Sequence, residues 1–208
     1  AKATATATPT AAKLEPGADT QLLITHAYNT AVEALNGTRN MLDAEAIDRA
    51  ATLLQRARQV YFFGQGGSQV LAGDIWARFS MLSTKFRTAG DSHMQAITAS
   101  LMGPEDVILF ISYSGCTRDM MDTLHLAKEN GAKVILVTHY ADAPGAVLAD
   151  VVLLCGAKEN PLDSGSVPAK LAMLFVANVL VLRYTLDNQE LASLSLSRTS
   201  QALGSKLL

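Results

Sequence analysis

Five short strand-like runs recur through the middle of this chain: "QVYFFG" (59–64), "KFRTA" (85–89), "DVILFIS" (106–112), "KVILVT" (133–138) and "DVVLLC" (150–155). Most are apolar and β-branched almost without interruption, and strands lack polar alternation when both faces are buried. Helical patterns separate them, at 68–83, 92–102, 118–130 and, shorter, 143–149. Strand and helix in strict alternation predict an α/β fold: a doubly wound three-layer sandwich around a five-stranded parallel sheet. The expected strand order is the flavodoxin-like 2-1-3-4-5.

Two helices are expected before the sheet. "TQLLITHAYNTAVEAL" (20–35) places Leu23, Ala27, Ala31 and Leu35 at helical spacing, with Asn36-Gly37 as its stop. A second helix starts at Asp43, a suitable N-cap, with Ile47, Ala50, Leu54 and Ala57 on one face. Helices at 168–186 and 189–203 follow the last strand. Residues 1–19, rich in Ala, Thr and Pro, form a tail or linker, and 20–208 form the domain.

Composition excludes several classes of function. Of the 208 residues 49% are apolar and 17% charged, which suits a packed globule. The formal charge is −2, and the first 60 residues balance six Lys/Arg against six Asp/Glu. No basic surface for nucleic acid is indicated within this chain. Cys116 and Cys155 form no CxxC and no metal pattern with the four histidines, so neither a metal nor another cofactor is expected. Two isolated cysteines and the lack of a signal peptide suit a reducing cytoplasm. The apolar run 171–182 is broken by Asn178 and is short for a membrane span, so it predicts a buried helix and no membrane partner.

The loops that end two strands carry the chemistry. Strand 1 runs into "FFGQGGSQ" and strand 3 into "ISYSGCTRD". In a 2-1-3-4-5 sheet these strands are neighbours at the switch point, where the ligand crevice opens. Each loop leads into a helix whose first N–H groups attract an anion. Gly66, Gly67 and Gly115 let the backbone approach closely, while Ser68, Ser112, Ser114 and Thr117 add neutral donors. That set fits a phosphate monoester held by hydrogen bonds. No G-x-x-x-x-G-K-[ST] occurs, and Gln69 stands where a dinucleotide fingerprint needs its third glycine. Against this stands the plainer reading in which Thr117 only caps a helix and Ser112 only ends a strand.

Together with "AGDSHMQ", "LAKENGAKVILVTH" and "LADVVLL", these loops resemble the SIS (sugar isomerase) domain, in the form found in RpiR/MurR-type bacterial transcriptional regulators. The resemblance implies a phosphorylated sugar as ligand, with Gly66, Gly67, Ser68, Ser112, Ser114, Gly115 and Thr117 around its phosphate. It places Asp91, His93 and Glu159 near the sugar. It implies DNA binding only through an N-terminal helix-turn-helix domain outside this chain. It also implies a homodimer or dimer of dimers, with helices from 20–35 or 171–182 at the contact. The family often has Ser-Arg where this chain has Ala169-Lys170, and Asp where Asn178 stands.

Of two functions, the expected one is an effector-sensing domain without catalysis, favoured by the linker-like N-terminal segment and the balanced charge. The other is an enzyme, a phosphosugar isomerase or an N-acetylmuramic acid phosphate etherase, with Glu159 and His93 as the acid–base groups. His93 and Glu159 also have bland readings, as a helix residue and a solvated carboxylate. Cys116 lies at a helix N-terminus in the variable position of its loop, and His26, His125 and His139 suggest no role.

Overall fold

The computed structural model describes residues 17–156 and 166–204. Two helices, α1 (Thr20–Met41) and α2 (Ala44–Arg56), lead into β1 (Gln59–Gly64), α3 (Gly67–Ser80), β2 (Phe86–Thr88) and α4 (Ser92–Ser100). Then come β3 (Asp106–Ile111), α5 (Arg118–Glu129), β4 (Lys133–Thr138), α6 (Pro144–Leu148) and β5 (Val151–Leu154). The chain closes with α7 (Val167–Asp187) and α8 (Gln189–Gly204). All strand pairs are parallel, and their order is β2-β1-β3-β4-β5, as expected.

Side chains of a strand alternate between faces, and this sheet uses both. Val60, Phe62, Val107, Leu109, Ile111, Ile135 and Val137 pack on the face covered by α1, α2, α3 and α7. Phe63, Ile108, Phe110, Val134 and Leu136 pack on the opposite face with Met120, Leu124 and Ala127 of α5 and Ala99 of α4. The unbroken apolar strands are therefore two interleaved core faces, which makes the third layer obligatory.

The helix α7 is long and apolar enough to cross a membrane. Here it lies on the sheet, burying Ala169, Ala172, Met173, Val176, Ala177, Leu180 and Tyr184. Its small residues let it approach closely, and the helix outruns the apolar stretch 171–182 at both ends. Asn178 points outward, with its Oδ1 facing Arg78 Nη1 at 3.5 Å.

One boundary differs from the sequence expectation. Asn36-Gly37 does not stop α1, which continues to Met41. Gly37 is a contact residue: a Cβ there would lie 2.7 Å from the Gly156 carbonyl oxygen. Thr38 beside it is fully buried, and its Oγ1 accepts the Gly156 N–H at 3.1 Å. A helix glycine chosen for close approach reads like a terminator in sequence. The expected face Leu23–Ala27–Ala31–Leu35 is also shifted, because the first half of α1 leaves Leu22, Leu23, Ile24 and Tyr28 exposed.

A cation caps the end of α2. Lys85 Nζ donates to the carbonyls of Leu54 at 2.7 Å and Gln55 at 3.0 Å, and burial pushes its pKa down. Those carbonyls belong to the last turn of α2, which has no intrahelical donors for them.

Candidate functional site

β1 and β3 lie side by side in register from Gln59↔Asp106 to Gly64↔Ile111, so both strands end at the same level. Their loops then turn apart into α3 and α5 and enclose a cavity of about 270 Å³. Its lining includes Gly66, Gly67, Ser68, Ser112, Ser114 and Thr117, six of the seven residues expected around a phosphate. The seventh, Gly115, shapes the loop from behind. It has φ 61°, and a Cβ would meet Ala143 Cβ at 2.6 Å and Thr138 Oγ1 at 2.9 Å. Only glycine fits both the dihedral and the space.

The two helices that open on the cavity start without a side-chain cap, as α1 and α6 also do. α2, α4 and α7 are capped by the side chains of Asp43, Asp91 and Ser166. α3 and α5, whose N-termini open on the cavity, receive no side-chain cap. The N-cap of α3 is Gly66, with φ 54° and no side chain to offer. Thr117 occupies the N-cap position of α5, but its hydroxyl donates to Gln65 Oε1 at 2.9 Å instead. The plain capping reading of Thr117 is thus not its geometry. The two first turns keep the partial positive charge that binds anions.

The serines divide the work. Ser112 is 6% exposed, and its Oγ accepts the Gly115 N–H at 3.1 Å, so it braces the turn while facing the cavity. Ser68 and Ser114 are half-buried at the opening.

Two side chains at the cavity were assigned no place there from the sequence. Gln65 joins the loops through Thr117, and its Nε2 is buried without a hydrogen-bond partner. An orphaned buried donor costs stability until an acceptor arrives. Lys170, in the first turn of α7, also lines the cavity, and a Cβ on Gly67 would lie 3.7 Å from its Cε and 3.9 Å from its Nζ. The two loops carry no lysine of their own, and this one reaches the cavity from α7. The signal that could have found Lys170 is a cation at the start, not the end, of an apolar helix.

The wall of the cavity is braced from β4. Tyr113 stacks on His139, with ring centroids 5.1 Å apart and planes 3° from parallel. His139 Nδ1 lies 2.7 Å from the Cys155 carbonyl oxygen. A carbonyl only accepts, so Nδ1 carries the proton. His139, for which the sequence suggested nothing, holds the wall in place.

Of the expected sugar-side residues, Asp91 caps α4 by accepting the Met94 N–H at 2.9 Å. His93 is exposed in the same turn, and neither lines the cavity. Both stand beyond the end of β2, next to β1. Glu159 lies outside the described residues. Gln69, at the failed fingerprint position, donates to the Ala89 carbonyl at 3.1 Å, and its Oε1 accepts from the buried Gln95 at 2.9 Å. Among the described residues no cluster of His, Cys, Asp and Glu could hold a metal ion.

Residues 53–183 match the model of the SIS domain, and the cavity loops fall within them. The chain belongs to the SIS domain family. This SIS domain is 29% identical over 179 residues to the HTH-type transcriptional regulator RpiR of Escherichia coli K12, covering 86% of this chain. It spans 60% of that relative's length. The structure of Vibrio vulnificus NanR complexed with ManNAc-6P superposes with a TM-score of 0.84 at 22% identity, covering 89% of this chain and 70% of that one. The SIS fold is shared with a phosphoheptose isomerase from Francisella tularensis, at a TM-score of 0.65 and 18% identity, over 81% of this chain and 100% of that one.

Proposed function

We propose that this SIS domain senses a phosphorylated sugar on behalf of a transcriptional regulator and performs no turnover. The observation that carries the reading is the cavity between the β1 and β3 loops. Two helix N-termini without side-chain caps, several hydroxyls and the Gln65 side chain line one small space. Such a space offers donors in excess of acceptors, the complement of a phosphate monoester.

Gly66, Gly67, Ser68, Ser112, Ser114, Gly115 and Thr117 are the proposed phosphate cradle. A sugar leaving it toward β2 meets the first turn of α4, where Asp91 and His93 stand, and Glu159 is the third residue proposed to contact it. The regulator reading draws on RpiR being named an HTH-type transcriptional regulator and on NanR having been solved with ManNAc-6P. On this reading a helix-turn-helix domain, carried by a segment outside these 208 residues, makes the DNA contacts, and the full protein works in the cytoplasm. The enzyme reading draws on the same fold in an isomerase.

Titration with a panel of hexose 6-phosphates and N-acetylated amino-sugar 6-phosphates, each beside its unphosphorylated sugar, tests this. At least one phosphate ester should bind and raise the unfolding midpoint, since a ligand at 100 times its Kd adds about 2.7 kcal/mol. All should be recovered unchanged. Product formation that disappears in Glu159→Gln would reverse the assignment to an enzyme.

A further inference from the structure

We infer that Gln95 is a positioning residue: with Gln69 it fixes the distance between the phosphate cradle and the first turn of α4, and so sets which phosphosugars fit. The inference rests on the phosphate-cradle reading and concerns the sugar side of that site.

The helix α4 is short and lightly anchored. Of its nine residues only Gln95 and Ala99 are buried, and it follows the three-residue edge strand β2. The pairing of β1 with β2 runs from Val60↔Phe86 to Phe62↔Thr88 and ends before Gly64. Asp91 and His93 stand on one side of this gap, and the cradle loop leaves β1 on the other.

Side chains continue the edge where the ladder stops. The Thr88 hydroxyl donates to the Phe62 carbonyl at 3.0 Å. Gln95 Nε2 donates to the Gly64 carbonyl and to Gln69 Oε1, each at 2.9 Å, with the Ala89 carbonyl at 3.3 Å. Gln69 Nε2 donates to the same Ala89 carbonyl at 3.1 Å. Two amides thus join the last residue of β1, the first turn of α3, the residue after β2 and α4 in one network.

Backbone carbonyls only accept, so the nitrogen of Gln95 faces them and the orientation of the amide is fixed. The cost is an Oε1 that is buried without a hydrogen-bond partner among the described residues. An apolar side chain of that length would fill the same space without an orphaned oxygen, but would leave the Gly64 carbonyl unheld. Gly64 in turn touches the cradle: a Cβ there would lie 2.6 Å from the Ser68 carbonyl oxygen, so a shift of one moves the other. A phosphosugar meets both sides at once. With its phosphate seated, its sugar gains most from an α4 that is already in place, because ordering that turn on binding would cost affinity.

The probes are inorganic phosphate, which meets the cradle alone, and the panel of hexose and N-acetylated amino-sugar 6-phosphates. Each is titrated into the 208-residue chain while the amide resonances of Gly66, Gly67 and Gly115 are followed. In the parent at least one ester should bind more tightly than inorganic phosphate. Gln95→Met should keep inorganic phosphate within about threefold and cut the advantage of that ester about tenfold. Gln69→Met, at a half-buried position, breaks the same bond from its other end and should act alike, which keeps the test decisive if Gln95→Met does not fold. The double variant should lose no more than either single one, because both break one network. Equal losses for phosphate and ester would make the two glutamines general supports and overturn the inference, as would an unchanged ester advantage. If no ester outbinds inorganic phosphate in the parent, the inference falls and the cradle stands. If no probe moves a loop amide in the parent, the cradle reading falls and takes this inference with it.

Discussion

Thr117 donates its hydroxyl hydrogen to Gln65 Oε1 at 2.9 Å, and this bond crosses from the loop after β3 to the loop after β1. It joins residues 52 apart in sequence and leaves the other half of the Gln65 amide buried without a partner. A hydroxyl placed to cap α5 instead holds two loops at a fixed separation. Thr117→Val should accordingly weaken a phosphorylated ligand about tenfold while costing the empty protein no more than about 1 kcal/mol. Thr117→Ser should retain binding. Calorimetry on the two variants checks both statements.

Ser112 and Ser114 should respond differently to truncation. The Ser112 hydroxyl oxygen is the acceptor for the Gly115 N–H, so Ser112→Ala should lower stability by about 1–2 kcal/mol as well as weaken the ligand. Ser114→Ala should weaken the ligand about 10- to 100-fold with the unfolding midpoint unchanged. Unchanged affinity in the double variant would end the phosphate reading.

Gly37→Ala offers a test of sign. In most helices this change stabilises, by up to about 1 kcal/mol. Here the new methyl would sit 2.7 Å from the Gly156 carbonyl oxygen, in a contact made of backbone on both sides. A loss of about 1–3 kcal/mol is expected instead. Chemical denaturation reads it directly, and a gain in stability would show that α1 can shift off β5.

Asp150 links stability to acid pH. Burial alone would raise its pKa, but hydrogen bonds from Lys128, the Val134 N–H and Lys133, with the Lys128 charge, bring it below the ordinary value. A depressed carboxylate stabilises the fold above its unfolded pKa and loses that contribution as pH falls through the folded one. Asp150→Asn should therefore cost about 1 kcal/mol near neutral pH. The difference from the parent should shrink below about pH 4 and vanish in stronger acid, as unfolding midpoints across that range would reveal.

The first half of α1 exposes Leu22, Leu23, Ile24 and Tyr28, and α7 exposes Leu182 and Leu186. Apolar side chains on two helices of one face suit burial against a second copy. A dimer or larger closed assembly is expected by light scattering at tens of micromolar, and Leu23→Asp with Ile24→Asp should shift it toward monomer. A monomeric parent chain would overturn this.

Most of the architecture was legible because periodicity is local. Runs such as "VILFI" (107–111) and "VILV" (134–137) are apolar at every position, as a strand in a sheet covered on both faces requires, and their alternation with helices points to parallel strands. The gathering of the two loops was legible for a related reason: glycines and hydroxyls directly after adjacent strands share one end of the sheet whatever else the chain does. The residues that escaped are those whose meaning depends on a distant partner. Gly37 reads as a helix stop until Gly156 is packed against it. Thr117 reads as a cap until Gln65 lies opposite, and His139 reads as nothing until Tyr113 stacks on it. Lys170 follows the strand 1 loop by about a hundred residues, and α7 alone brings the two together. Contacts of that kind cost chain entropy to close and leave no periodic trace, so only the packed tertiary structure could place them.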